Sequence, residues 1–292
     1  LVIGGYYHVK MTLGVTLRAI LQLVFALALA GLWPVAPQYE VFAIRFATVP
    51  YSVANLIAGA ERGRSVDLAF TIWALRDPAT SRVVLVDAGF YRDKFLEQWH
   101  PRDFVKPSDA LAAGLGIQPD AVTDIIVSHS HWDHVDGVDL FPRAKIWIQK
   151  DEYDYYVGGD GTVLHRGGVD IEDAKMLAAL NAAGRVALVD GDDREIVPGV
   201  RVYTGGKHTF ASQFAAVETR AGTVVLASDN VYLFENLDKH AAIAQTLDAQ
   251  SNLAAQDRML KLAASPRLII PGHDPAVFDR FPVVKPGVVR ID

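Results

Sequence analysis

No cysteine occurs among the 292 residues, so the chain can form no disulfide, no thiolate nucleophile and no cysteine-ligated zinc site. Any metal must be held by histidine and carboxylate. Blocks of like charge are also missing. The 28 Lys and Arg and the 34 Asp and Glu are scattered and leave a net charge of −6, which offers no basic footprint for a phosphate backbone and excludes nucleic acid as an expected partner. Apolar residues are plentiful at 51%, enough to fill a sizeable core.

The first 36 residues differ from the rest. Met11 opens a stretch with Arg18 as its charge, an apolar run at 19–33 interrupted only by Gln22, and small residues near Ala36. This pattern predicts a signal peptide or short membrane anchor over 1–36, hence export to the periplasm or the exterior, with a buried N-terminal helix as the alternative. No other membrane partner is expected, and oligomeric state is left open, a homodimer included. Residues 37–292 then form one domain.

After Tyr39 the chain alternates strand-like and helix-like segments. Period-two alternation predicts a strand at 39–49, and β-forming residues predict strands at 67–75, 82–86 and 267–271. Ser108 is a candidate cap for a helix through 115, helical spacing covers 171–183 before Gly184, and two further helices fit between 237 and 264. The class is α/β with mixed sheets. One internal similarity bears on function: VVLVDAG at 83–89 matches VVLASDN at 224–230, and IIVSHSH at 125–131 matches LIIPGHD at 268–274. Each half delivers an aspartate (Asp87, Asp229) and then a histidine (His129, His273) from the end of an apolar strand. Two such halves would bring their polar tips together in a cleft between two sheets.

The densest chemistry lies at 128–137, SHSHWDHVDG, immediately after the apolar Ile125, Ile126 and Val127. His129, His131, Asp133 and His134 form the pattern H-x-H-x-D-H. Imidazole and carboxylate suit divalent cations, and side chains so close in sequence reach two adjacent cations only if the backbone turns sharply. His208 in TGGKHTFASQ, Asp229 in LASDNVY and His273 in IIPGHD each follow a β-rich stretch and could complete the shells.

With these motifs on the page, the sequence resembles the metallo-β-lactamase-fold hydrolases over about residues 40–280, through VDAG, SHSHWDH, KHT, SDN and PGHD in order. The resemblance implies a four-layer αββα sandwich with two mixed β-sheets and metals at their shared edge. It also implies that His129, His131 and His208 bind one cation and Asp133, His134 and His273 the second. Asp229 would bridge them, while Asp87 would orient a ligand imidazole, unless it merely forms the turn before Gly89. The cations would be two divalent ions, zinc first, with Mn, Fe or Co also suited.

Tyr232, three residues after Asp229, is similar to the tyrosine of the dinuclear N-acyl homoserine lactonases, as are Thr209 after His208 and the later Gln213. Lys207 and Trp132 depart from that group's pattern. The implied function is a metal-dependent hydrolase opening a small-molecule lactone by attack of a hydroxide shared between the cations. Tyr232 would donate to the oxyanion and Asp133 would act as proton donor or as ligand only. Another ester, a phosphotriester, a β-lactam or a thioester is the alternative substrate.

Overall fold

A computed structural model of the chain describes residues 1, 2, 4, 5 and 38–292. The chain divides into two compact units, Leu1–Ala36 and Pro37–Asp292. The signal- or anchor-like segment expected over 1–36 lies outside the described residues, apart from the four residues just named, and the account below concerns the second unit.

Its strands in chain order are β1 (Glu40–Ser52), β2 (Ser65–Arg76), β3 (Val83–Val86), β4 (Asp124–Ile126), β5 (Lys145–Gln149) and β6 (Val186–Val189). They continue with β7 (Arg194–Val197), β8 (Val200–Thr204), β9 (Gln213–Thr219), β10 (Gly222–Ser228), β11 (Ile269–Pro271), β12 (Val283–Lys285) and β13 (Val288–Arg290). One sheet has the order β12-β13-β1-β2-β3-β4-β5-β6 and the other β11-β10-β9-β8-β7. Both are mixed. In the first, β1 to β3 pair antiparallel and β3 to β6 parallel; in the second, only β10 and β11 are parallel.

Period-two burial explains the layering. Along β3, Val84 and Val86 enter the core shared by the two sheets, whereas Val83 and Leu85 face the helices outside the first sheet. Along β10, Val224 and Leu226 enter the shared core, while Val225 and Ala227 pack on Ala255 and Met259 of the helix Ala249–Leu262. Three apolar interfaces separate four layers, the expected αββα sandwich. The internal similarity has a structural counterpart. β3 lies parallel beside β4 with Val86 opposite Ile126, and β10 lies parallel beside β11 with Leu226 opposite Ile270.

Element boundaries differ from expectation in a few places. The helix expected to be capped by Ser108 is Pro107–Leu115, with Lys106 in the cap position and Ser108 buried inside the first turn. Proline's fixed φ suits that first helical position, where no N–H is needed. Of the two helices placed between 237 and 264, the first is Phe234–Asp238. The second starts at Ala249, where the Asp248 carboxylate accepts from the N–H groups of Gln250 and Ser251. The strand expected from 267 begins at Ile269, because Pro266–Leu268 closes a 3-10 turn first.

A buried ion cluster ties these layers together near the rim. Arg92 binds Asp136, just past the H-x-H-x-D-H turn, and its Nη1 lies 2.7 Å from Asp173 Oδ1 on the helix Ile171–Ala182. One guanidinium thus serves two fully buried carboxyls. Burial outweighs the pull of Arg92 and pushes the Asp173 carboxyl up to about 7, and Asp173 Oδ2 finds no partner among the described residues. Since the folded value lies above the ordinary 3.8, the stabilising contribution is complete below about pH 4 and is lost as pH rises through about 7. Asp173→Asn cannot ionise and keeps an acceptor for Arg92. Its stability relative to the parent is expected to improve by about 2–4 kcal/mol between pH 4 and pH 8, measured by denaturant unfolding at both ends. A pH-independent difference would disprove the assignment.

Candidate metal centre

Strand ends build the site. β3 runs out at Asp87, β4 at Ser128 and His129, β10 at Asp229, and β11 at Gly272 and His273, all on the rim where parallel strands present their carboxyl ends. His131 precedes a single helical turn, Trp132–Val135, and that turn swings Asp133 and His134 back toward the strand ends. His208 arrives from the loop after β8, where Lys207 adopts a left-handed φ of 60°.

All seven residues expected to hold metal converge. Donor atoms of His129, His131, His208 and Asp229 form one group, and those of Asp133, His134 and His273 a second, with the donors of each group within 4.8 Å of one another. Asp229 faces both. Its Oδ2 lies 3.2 Å from His208 Nε2 and 3.7 Å from His129 Nε2, while Oδ1 lies 2.9 Å from His273 Nε2 and 3.3 Å from His134 Nε2. Asp133 Oδ2 stands 3.6 Å from His134 Nε2 and 3.8 Å from His273 Nε2.

Each imidazole is held by its other nitrogen. His134 Nδ1 meets Asp87 Oδ2 at 2.8 Å, His208 Nδ1 the Gln245 carbonyl at 2.7 Å, and His273 Nδ1 the Ala69 carbonyl at 3.0 Å. His129 Nδ1 meets Ser128 Oγ at 2.9 Å, and His131 Nε2 the Gly167 carbonyl at 2.6 Å. Acceptors at those positions place the ring proton outward and leave Nε2 of four rings, and Nδ1 of His131, as inward lone pairs. The inward atoms lack hydrogen-bonding company. His129 Nε2, His134 Nε2 and Asp229 Oδ1 are buried without a satisfied partner, and His131 Nδ1 points at His208 Nε2 across 3.0 Å. Lone pairs gathered in this way repel one another unless a cation stands between them, so the donor set fits divalent metal.

The electrostatics agree. Burial and its imidazole neighbours hold His129 far below the ordinary range and His131 down to about 3, so both rings are neutral and keep a lone pair. Burial works the same way on His134 and His273, but there the surrounding carboxylates, Asp229 foremost, overcome it and raise both. Burial would also raise Asp229, yet His273 and His134 hold its carboxyl well below the usual range. Positive charge is favoured on the side of His134 and His273, where the carboxylates face the rings.

Beside the donors opens a cavity of about 430 Å³ lined by His131, Asp133, Asp229, Tyr232 and His273 and by a mixed remainder, apolar at Phe70, Phe95 and Trp99 and polar at Gln98, Asp170 and Gln245. Tyr232 is buried, its ring 5.7 Å from those of both His208 and His273. Burial, then the Asp229 and Asp133 carboxylates, raise its phenol far above the ordinary value, so it keeps its proton. Trp132 is stacked between Phe95 and Trp99 at centroid distances of 4.5 and 5.4 Å and forms an aromatic wall.

Other residues singled out in the sequence go elsewhere. The Lys207 ammonium binds the Phe210 carbonyl at 2.7 Å rather than lining the cavity. His165, in the loop before Gly167, stacks on Tyr155 at 3.9 Å. Gln213 works beneath the site, its Nε2 donating to the Val127 carbonyl at 2.7 Å. His240 is exposed in the turn after a helix and pairs with Asp257 at 3.0 Å.

The sequence reading overlooked Ser128, Ser228, Gly168 and Glu152. Ser128 and Ser228 share Asp87 Oδ2 with His134, and Gly168, at φ 88°, leaves no room for a Cβ, which would fall 2.6 Å from His131 Cδ2. The adjacent glycines in HRGG were the available signal for that close approach.

Comparison with known proteins identifies the family. A family model described as the metallo-beta-lactamase superfamily matches residues 71–273. The N-acyl homoserine lactonase AiiA of Bacillus thuringiensis subsp. kurstaki is 31% identical over 163 residues, 55% of this chain and 59% of that protein; the match therefore spans under two thirds of the relative's length. A B. thuringiensis AiiA mutant with N-decanoyl-L-homoserine bound at the active site superposes with a TM-score of 0.69 at 23% identity, covering 85% of this chain and 98% of that one. AidC, a dizinc quorum-quenching lactonase in complex with a product, gives a TM-score of 0.64 at 16% identity, over 82% and 89% of the two chains. These structural likenesses establish a shared fold.

Proposed function

Because the chain belongs to the metallo-beta-lactamase superfamily, we propose that it is a dinuclear metal-dependent hydrolase that opens a lactone of the N-acyl homoserine lactone kind. The observation that carries this reading is the division of Asp229, with one oxygen turned to His129 and His208 and the other to His134 and His273. His129, His131 and His208 would hold one cation, Asp133, His134 and His273 the other, and Asp229 both. Two divalent cations there would supply Lewis acidity and a nucleophilic water at neutral pH. Zinc is the first choice because a solved structure of the same fold is a dizinc lactonase. Nitrogen and oxygen donors also suit Mn, Fe and Co.

The chain's own groups supply the rest. Tyr232, protonated and in the cavity wall beside the donors, would donate a hydrogen bond to the carbonyl oxygen as it gains charge. Asp133, beside it in the cavity wall, would take up the proton that the attacking water gives up and pass it to the ring oxygen as the acyl C–O bond breaks, yielding a hydroxy acid. The apolar wall of Trp132, Phe95 and Trp99 would exclude water from the substrate's non-reacting arm.

The test is incubation of purified protein with lactones, β-lactams, thioesters and phosphotriesters alongside measurement of bound metal. Lactone turnover with two metal equivalents is expected; turnover confined to another class, or none with metal bound, overturns the reading. Tyr232→Phe should keep its metal and its KM while kcat for the lactone falls about 10²-fold, the scale of a lost oxyanion donor. Unchanged kcat would remove the assigned role.

A further inference from the structure

Glu152 lies in the first turn of the helix Lys150–Tyr156 and is fully buried. Its Oε1 accepts from the Ser130 N–H at 3.0 Å, and its Oε2 accepts from the Ala211 N–H at 2.7 Å. Ser130 stands between His129 and His131, and Ala211 lies three residues beyond His208. One carboxylate therefore clamps the two loops that carry three histidines of one donor group. No cationic side chain stands beside it among the described residues. Burial raises its carboxyl above the ordinary range, against the bonds from Ala211, Ser130 and Thr209 that favour the charge, so positive charge nearby would favour the ionised form.

We infer that Glu152 is a positioning residue of the dinuclear centre: it sets the spacing between the His129–His131 turn and the His208 loop, and its charge balances the cations. The inference rests on the reading of the site as dinuclear. Its geometry accounts for the choice of glutamate. Aspartate is one methylene too short to reach both loops, and glutamine has a single acceptor oxygen, so one backbone N–H would face an amide donor instead.

Co²⁺ titration under chelator competition, followed by absorption spectroscopy on the metal-stripped full chain, tests it. Glu152→Gln is expected to weaken binding of the cation held by His129, His131 and His208 about 10- to 100-fold and to change its spectrum. The second cation should bind as before, whatever stability the metal-free variant loses through the backbone N–H that glutamine leaves unpaired. Glu152→Asp, which retains the charge, should weaken the same cation and decides the matter if the glutamine variant does not fold. Wild-type Co²⁺ affinity in the folded variants overturns the inference, as does a loss that affects both cations equally and tracks a loss of metal-free stability. If the parent chain itself binds fewer than two Co²⁺, the dinuclear reading fails; if it binds two and Glu152→Gln matches it, only the role of Glu152 fails.

Discussion

Asp229→Asn should abolish function while leaving the fold in place, with lactone turnover reduced by at least about 10³-fold and bound metal reduced from two equivalents to one or fewer. The reason is that Asp229, among the described residues, faces both donor groups, its two oxygens lying 2.9–3.7 Å from four imidazole nitrogens. An amide of the same size keeps one acceptor but puts an NH₂ against one of those lone-pair sets, and the charge that holds a second cation disappears. An orienting partner outside the donor set costs about 10–100-fold when removed; a shared ligand should cost more. Metal analysis and steady-state kinetics on the same preparation provide the check. Two bound equivalents with turnover within tenfold of the parent would show that Asp229 is not the bridge.

Asp87→Ala is expected to cause the largest loss of stability. Asp87 is fully buried and accepts four bonds: from Ser128 N–H at 2.8 Å, Ser128 Oγ at 2.9 Å, Ser228 Oγ at 3.0 Å and His134 Nδ1 at 2.8 Å. Removing the carboxylate strands these donors in the interior, where each unsatisfied group costs about 1–3 kcal/mol before relaxation. The backbone adds to this, since Asp87 sits at φ 60°, a left-handed conformation that alanine tolerates less well than aspartate. With partial rearrangement the loss should be about 3–5 kcal/mol by denaturant unfolding, and His134, freed from its anchor, should bind its cation more weakly. A loss below about 1 kcal/mol would mean that Asp87 only shapes the turn before Gly89.

Much of this protein was legible in its sequence because the signals are local. Apolar runs with period-two burial identify the strands, and the abrupt change from Ile125, Ile126 and Val127 to histidines marks a strand's end on a polar rim. The spacing of His129, His131, Asp133 and His134, with His208, Asp229 and His273 after later strands, picks out the seven side chains that converge in the structure. Boundaries were read less well where a capping choice decided them, as when Pro107 rather than Ser108 opened its helix.

What only the tertiary structure decided is which atom of each donor faces the centre. Four of the five imidazoles present Nε2 and one presents Nδ1, because Ala69, Gly167 and Gln245 offer carbonyls while Ser128 and Asp87 offer side-chain oxygens to the opposite nitrogens. A backbone carbonyl is present at every position and so leaves no mark in the sequence. The same holds for Glu152, whose partners are two backbone N–H groups in loops 22 and 59 residues away. Residue types settled that cations could bind; the packing of distant main chain settled how the ligands are aimed.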